Sequence, residues 1–295
     1  MIGDNITYTS KDRSRDYSAI FSRRVFSSII DNDDFSYINI VANRYDRDLI
    51  SGGKLNTYLE YIRYLYKHLC KEYRCEYLYK NTIINELLIK QHGTKSTIAI
   101  NEFRAGDTIV DIALFNGISR AFEIKTEYDS DKRLVSQLSS YCKIFHECYI
   151  VIPESLLSKY IDIVENNIGI DLLYRERGLL KIKTYRHATT NVEVDPDIMI
   201  KSLRVNEYKN IVEKYFGTLP DVSSFRMYNA CLELLRQIDS GELQRLFNDE
   251  LKLRTTVTPG LNKVVKELRQ ICLSLNVSLE LYKELESKLK TKIII

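Results

Sequence analysis

Tryptophan is absent from the chain, and proline and glycine are sparse, at four and eleven of 295 residues. So few breakers are incompatible with a collagen-like or low-complexity polymer and leave room for regular elements. Histidine is as scarce. His68, His92, His146 and His187 do not cluster with the six cysteines, none of which forms a CxxC pair, so the spacing argues against a zinc module. Cys142 and Cys148 flank a predicted helix end and read as buried free thiols. No apolar leader opens the sequence and no stretch approaches the length of a membrane span, so the expectation is a cytoplasmic protein without a membrane partner. A net charge of +3 is too small to imply a nucleic-acid partner by itself; that argument has to come from local clusters.

What is present describes an ordinary globular chain. Hydrophobic residues make up 44% and charged residues 28%, which suits one large domain or two smaller ones. Residues 1–54 read as an N-terminal helical and irregular extension, polar over 4–16, helical over 17–30 and broken at 31–34 and 51–53. Its cations Arg13, Arg15, Arg23 and Arg24 fit a solvated helix face or a phosphate-binding arm. Helices follow at 55–71 and about 79–91, then strands at 97–103, 108–115 and 119–126, a helix at 131–146 and a strand at 148–152. A helix at 154–165 and a hairpin of 168–174 with 179–185 extend this core to residue 187. The hairpin cations Arg175, Arg177, Lys181, Lys183, Arg186 and His187 fit a nucleic-acid backbone or a sheet edge blunted by charge. Residues 188–200 read as a connecting loop. The remainder, 201–295, reads as an all-α C-terminal domain with helices at 201–216, 221–238, 240–252, 259–275 and 277–290. That domain fits a DNA-reading module, or the docking of a second copy or another protein partner.

The chemistry concentrates in residues 97–141. The run TIVDIALF at 108–115 is apolar on both faces except at Asp111. A strand buried on both sides reads as a continuous apolar run, so a carboxylate there needs a partner. Asn116-Gly117 is a strong hairpin signal, and the returning strand carries Glu123-Ile124-Lys125. Alternation puts Glu123 and Lys125 on one face and Ile124 on the other. If the register turns Asp111 to that face, two carboxylates and an ammonium converge. Such a set suits a hard divalent cation and the attack of a water on a phosphodiester. In the alternative, Glu123 and Lys125 are solvated and Asp111 sits in a structural salt bridge. In the following helix, periodicity alone makes Tyr141 a core aromatic and Gln137 a polar flank, and Asp129 and Asp131 are expected to cap its start.

Asp111, followed one hairpin later by Glu123-Ile124-Lys125, resembles the PD-(D/E)XK signature of restriction-endonuclease-like nucleases, with Val110 where the motif has proline. Gln137-Leu-Ser-Ser-Tyr141 resembles the QxxxY extension of that superfamily's exonuclease branch. Together with Asn101-Glu102-Phe103, Asp129 and Arg133-Leu134, the pattern is similar to a small bacterial branch over roughly residues 55–255. The resemblance implies an α/β fold with a restriction-endonuclease-like αβββαβ core within 55–187. It implies Asp111 and Glu123 as ligands of Mg²⁺ or Mn²⁺, helped by the Ile124 carbonyl. Lys125 becomes the catalytic lysine, with Gln137 and Tyr141 over the site. Glu86 or Glu102 would be the third carboxylate; Glu102 is favoured, because it belongs to the resembling Asn-Glu-Phe piece and alternation gives it the apolar face of Ile98 and Ile100. The implied function is metal-dependent hydrolysis of DNA, RNA being the lesser option, in defence or DNA processing. The rival is a catalytically silent nucleic-acid-binding or partner-recruiting protein on the same core. The catalytic reading requires Asp111, Glu123 and Lys125 to meet in one pocket open to a hydrated ion.

Overall fold

The computed structural model describes residues 8–254 and 256–295. The chain divides into two compact units, residues 1–85, 175–181 and 260–295 in the first and residues 86–174 and 182–259 in the second. This differs from the sequence expectation of 1–54, 55–187 and 201–295, because the two ends of the chain belong to one unit. Helical periodicity shows that a face is apolar without showing which distant helix covers it.

The first unit opens with helices α1 (Ser10–Ile20), α2 (Arg23–Asn32), α3 (Ser36–Tyr45), α4 (Arg47–Ser51), α5 (Tyr58–Glu72) and α6 (Glu76–Ile83). The single helix expected at 17–30 is two. Thr9 and Asp12 form a capping box that starts α1 early, and Ser22 accepts the Val25 N–H to restart the chain as α2. The beginning of the expected polar stretch, residues 4–7, lies outside the described residues. The polar centre of this unit is Asp46, whose side chain is fully buried. Tyr17 and Tyr61 donate their hydroxyls to Oδ2 at 2.5 and 2.8 Å. Arg13 and Tyr64 donate to Oδ1 at 2.7 and 3.2 Å. One cation of the expected basic group is therefore engaged in a structural ion pair.

The second unit holds the sheet, except for the 175–181 end of its last hairpin. A π-helical stretch, Ile84–His92, continues α6 and leads to β1 (Ile98–Ala105), β2 (Thr108–Phe115) and β3 (Ser119–Ile124), then α7 (Leu134–Cys142), β4 (Glu147–Pro153), α8 (Leu157–Tyr160), β5 (Gly169–Glu176) and β6 (Leu179–Arg186). Helices α9 (Pro196–Ser202), α10 (Val205–Phe216), α11 (Ser224–Leu235) and α12 (Ser240–Lys252) follow; α13 (Arg269–Ser274) and α14 (Leu279–Leu289) belong to the first unit. The six strands lie in chain order. β1, β2 and β3 are antiparallel neighbours, whereas β3, β4 and β5 run parallel. The α7 crossover allows the parallel pairing of β3 with β4. The result is an α/β fold with a mixed sheet.

One face of the sheet, through Ala113, Phe115, Ala121, Ile150 and Ile170, joins a core with Leu134 and Leu138 of α7, Met199 of α9 and Phe247 of α12. Each large side chain so buried contributes roughly 1.5–3 kcal/mol. The expected loop at 188–200 ends in α9, because Asp195 accepts the N–H groups of Asp197 and Ile198 with Pro196 in the first turn. The expected helix at 154–165 is reduced to a 3₁₀ turn and the single turn of α8. Among the described residues no helix is long and apolar enough to cross a membrane.

Replacing the buried Asp46 tests the polar centre of the first unit. Asp46→Ala strands the Arg13 guanidinium and three tyrosine hydroxyls, and should cost about 3–5 kcal/mol in denaturant unfolding. A loss below ~1 kcal/mol would show that these donors find other acceptors at little expense.

Candidate active site

The site begins with an irregularity in β1 and β2. Ile98 and Ile100, then Phe103 and Ala105, face the same core, as do Phe115 and Ala113, then Val110, on the partner strand. Alternation thus slips by one residue in both strands. The slip falls between the pairs Asn101/Ile112 and Phe103/Val110, at Glu102 and Asp111. Glu102 takes the left-handed conformation, with φ of 54°, which a residue bearing a Cβ adopts at a cost of roughly 1–2 kcal/mol. On the other side, the β2–β3 ladder runs from Phe115/Ser119 to Ile112/Phe122. Beyond it the Asp111 carboxylate accepts the Ile124 N–H through Oδ2 at 2.9 Å, where a strand carbonyl would otherwise serve.

Glu123 and Lys125 lie on the face of β3 that α7 covers, as alternation requires. Lys125 Nζ donates to Glu123 Oε1 at 2.8 Å and to Gln137 Oε1 at 3.4 Å. The Tyr141 hydroxyl lies 2.8 Å from Glu123 Oε2 and 2.7 Å from the Ile109 carbonyl oxygen, sharing its one proton between them. Gln137 Nε2 closes a ring by donating to the Tyr141 oxygen at 3.5 Å. The four-residue spacing of Gln137 and Tyr141 puts both on the inner stripe of α7. The Lys125 N–H donates to the Val151 carbonyl at 3.0 Å, so β4 holds the backbone beneath the lysine.

Burial pushes the Glu123 carboxyl up from its ordinary range, and the neighbouring Asp111 charge adds to this; Lys125 and Tyr141 act in the opposite sense. Burial and the nearby Glu123 charge raise the Tyr141 phenol as well, so Tyr141 is a proton donor throughout the working pH range. A pair of neighbouring carboxylates, Asp111 and Glu123, suits a hard divalent cation.

The structure thus brings together Asp111, Glu123, Lys125, Gln137 and Tyr141, with the Ile124 backbone between them. Glu102, expected on the apolar face of Ile98 and Ile100, is instead exposed at the alternation slip. Glu86 accepts from Lys90 at 2.6 Å one helical turn away. Among the described residues no three His, Cys, Asp or Glu side chains are grouped to hold a metal ion. Access is narrow: Glu123 and Lys125 are 2% and 8% exposed, and Asp111 and Gln137 are half-buried. Asp129 and Asp131 do not cap α7, which starts at Leu134 behind Arg133. Asp129 accepts the Thr126 N–H at 2.7 Å and so pins the turn directly after Lys125, while Asp131 pairs with Lys159 at 3.2 Å. A short polar residue a few positions past a strand end was the available signal for that turn.

A second buried acid in the sheet carries no sign of its role in the sequence. Asp171 on β5 is 2% exposed and accepts the Thr184 hydroxyl at 2.7 Å. Desolvation, offset in part by that bond, pushes its carboxyl up to about 6. The β4–β5 register pairs it with Val151, one position on from the Ile150/Ile170 pair of the α7-side core, so it belongs to the opposite face. A carboxyl raised on folding favours the folded state below its ordinary range, and that contribution is lost as pH climbs through about 6. Asp171→Asn should therefore be more stable than the parent at pH 8 by ~1–3 kcal/mol and gain nothing below about pH 4, as read from unfolding midpoints across pH.

Comparison with known proteins gives this geometry a family. The model of the family described as bacteriophage P4 protein cII matches residues 70–270, which include every residue of the site. Protein cII of Enterobacteria phage P4 is 25% identical over 166 residues, 54% of this chain and 56% of that protein, so the match spans little more than half of either. A solved protein of unknown function from Silicibacter pomeroyi is 13% identical, covering 42% of this chain and 80% of its own, with a TM-score of 0.31. On the extent of the first match, the chain belongs to the bacteriophage P4 protein cII family.

Proposed function

We propose that this protein is a metal-dependent nuclease of the PD-(D/E)XK type, acting on nucleic acid and on DNA rather than RNA. The observation that carries the reading is the ring of Lys125, Glu123, Tyr141 and Gln137 set beside Asp111. An order of helix, three antiparallel strands, helix and parallel strand supports the restriction-endonuclease-like αβββαβ core. Asp111 and Glu123, with the Ile124 carbonyl, would hold Mg²⁺ or Mn²⁺. Such an ion, when bound, supplies Lewis acidity and lowers the pKa of its water. Lys125 presents its Nζ protons where a nucleophilic water or a phosphate oxygen would lie. Gln137 fixes that ammonium, and Tyr141 holds the outer oxygen of Glu123 in place.

A second reading is favoured by the burial of Glu123 and Lys125 against each other and by the lack of a grouped third acid among the described residues. In it the core is catalytically silent and binds nucleic acid or recruits a partner.

Two measurements separate these readings. Purified protein should cut labelled DNA in Mg²⁺; Asp111→Asn should lower the rate ~100-fold or more with an unchanged circular-dichroism melt, and Lys125→Ala should lower it as far while also lowering the melt, because it leaves the buried Glu123 carboxylate without its ammonium. Titration calorimetry should show Mn²⁺ binding that Asp111→Asn removes. Cutting by Lys125→Ala at the parental rate would sink the nuclease reading; nucleic-acid binding without Mn²⁺ affinity or cutting would establish the silent one.

A further inference from the structure

Two cysteines that the candidate active site does not use lie together at the C-terminal end of α7. Cys142 is the last residue of that helix, and the Ile144 and Phe145 N–H groups donate to the Tyr141 carbonyl to turn the chain back. Ile144 and Phe145 are fully buried, so packing holds the turn in place. Cys148, 2% exposed, follows on β4 opposite Ala121 of β3. Both cysteines pack on the core at the α7 side of the sheet, and their thiols are hydrogen-bonded to each other.

The two differ in access. Cys142 is half-buried and lines a cavity of about 350 Å³ formed by α7, residues 163–168 and residues 191–195. The Asn191 side chain donates to the Cys142 carbonyl and ties one wall to the helix end. Ser139, Lys143, Glu165 and Glu193 on the wall are exposed, so the cavity opens to solvent and leads a small oxidant to Cys142 first. The thiols differ in proton affinity as well. The Cys148 S–H donates to Cys142 and holds that thiol below its ordinary range, whereas burial and the same bond hold Cys148 well above. An accessible sulfur inclined to the thiolate, beside a buried one that keeps its proton, suits an attacking and a resolving cysteine.

We propose that Cys142 and Cys148 are a modification site, a thiol pair that hydrogen peroxide converts to a disulfide with Cys142 attacking and Cys148 resolving. The Cys142 sulfur attacks one peroxide oxygen; an S–O bond forms, the O–O bond breaks, and the second oxygen leaves as water with the thiol proton. The Cys148 sulfur then attacks that of Cys142; the S–S bond forms, the S–O bond breaks, and a second water leaves with the Cys148 proton. The two sulfurs lose two electrons and the peroxide gains them. The new bond ties the end of α7 to β4 one residue from Tyr141, and none of the residues of the candidate active site takes part.

Lys143 makes the pair easy to read, because trypsin cutting after it leaves the two cysteines on separate peptides. The folded full chain is treated with hydrogen peroxide, alkylated and digested without reductant. Peptides 134–143 and 144–159 should then appear joined, and should separate on reduction. In Cys148→Ala, oxidation should stop at the Cys142 sulfenic acid, which a 1,3-diketone traps. Cys142→Ala should slow oxidation of Cys148 at least ~10-fold, with a melting curve to check that each variant is folded. A parent chain that yields no joined peptide overturns the proposal whatever the variants do. Oxidation of Cys148 in Cys142→Ala as fast as that of Cys142 in the parent overturns the assignment of roles.

Discussion

The bond between Lys125 and Glu123, closed over by the Tyr141 hydroxyl, is the constraint around which the second unit is arranged. Two opposite charges held away from water are costly unless their remaining donors and acceptors are met. Here α7 meets them. Its apolar stripe, Leu134 and Leu138, seats the helix on the sheet, and the same seating delivers Gln137 to the lysine and Tyr141 to the glutamate. Packing and polar satisfaction therefore depend on one helix position. A shift of α7 by one turn would forfeit both.

The Asp111 side of the site rests on a different device. β2 leaves its regular ladder after Ile112, and a carboxylate takes over the N–H of Ile124. The slip in alternation at Glu102 and Asp111 makes that departure possible, at the expense of a left-handed residue in β1. Strained backbone of this kind persists where the surrounding structure over-determines it. The five buried residues that flank the slip, Phe103, Ala105, Val110, Ala113 and Phe115, supply that determination.

Three buried acids show how partner number sets behaviour. Asp46 receives three hydroxyls and a guanidinium. Glu123 receives an ammonium and a phenol, yet burial and the adjacent Asp111 still raise its carboxyl. Asp171 has the Thr184 hydroxyl as its hydrogen-bond donor and rises to about 6. The first is built as a structural staple. The second keeps a buried ammonium paired. The third titrates near neutrality because one neutral donor does not replace the water it has lost.

Short-range periodicity is the part of this protein that the sequence determined by itself. A charge inside an apolar run marked Asp111, two-residue alternation put Glu123 with Lys125, and a four-residue interval put Gln137 with Tyr141. The helix–strand order of the sheet was legible in the same way, and the start of α9 was written in Asp195-Pro196 although it reads at first as a loop. Tertiary structure decided which of these local faces meet, and how open the meeting place is. Asp46 carries no local sign of its role, since its four donors come from positions 13, 17, 61 and 64 on two other helices. Glu102 looks inward by alternation and is turned out by a single left-handed residue. The division lies where it does because a repeat along one element fixes the direction of its side chains, whereas their partners depend on how distant elements pack, and no local repeat records that.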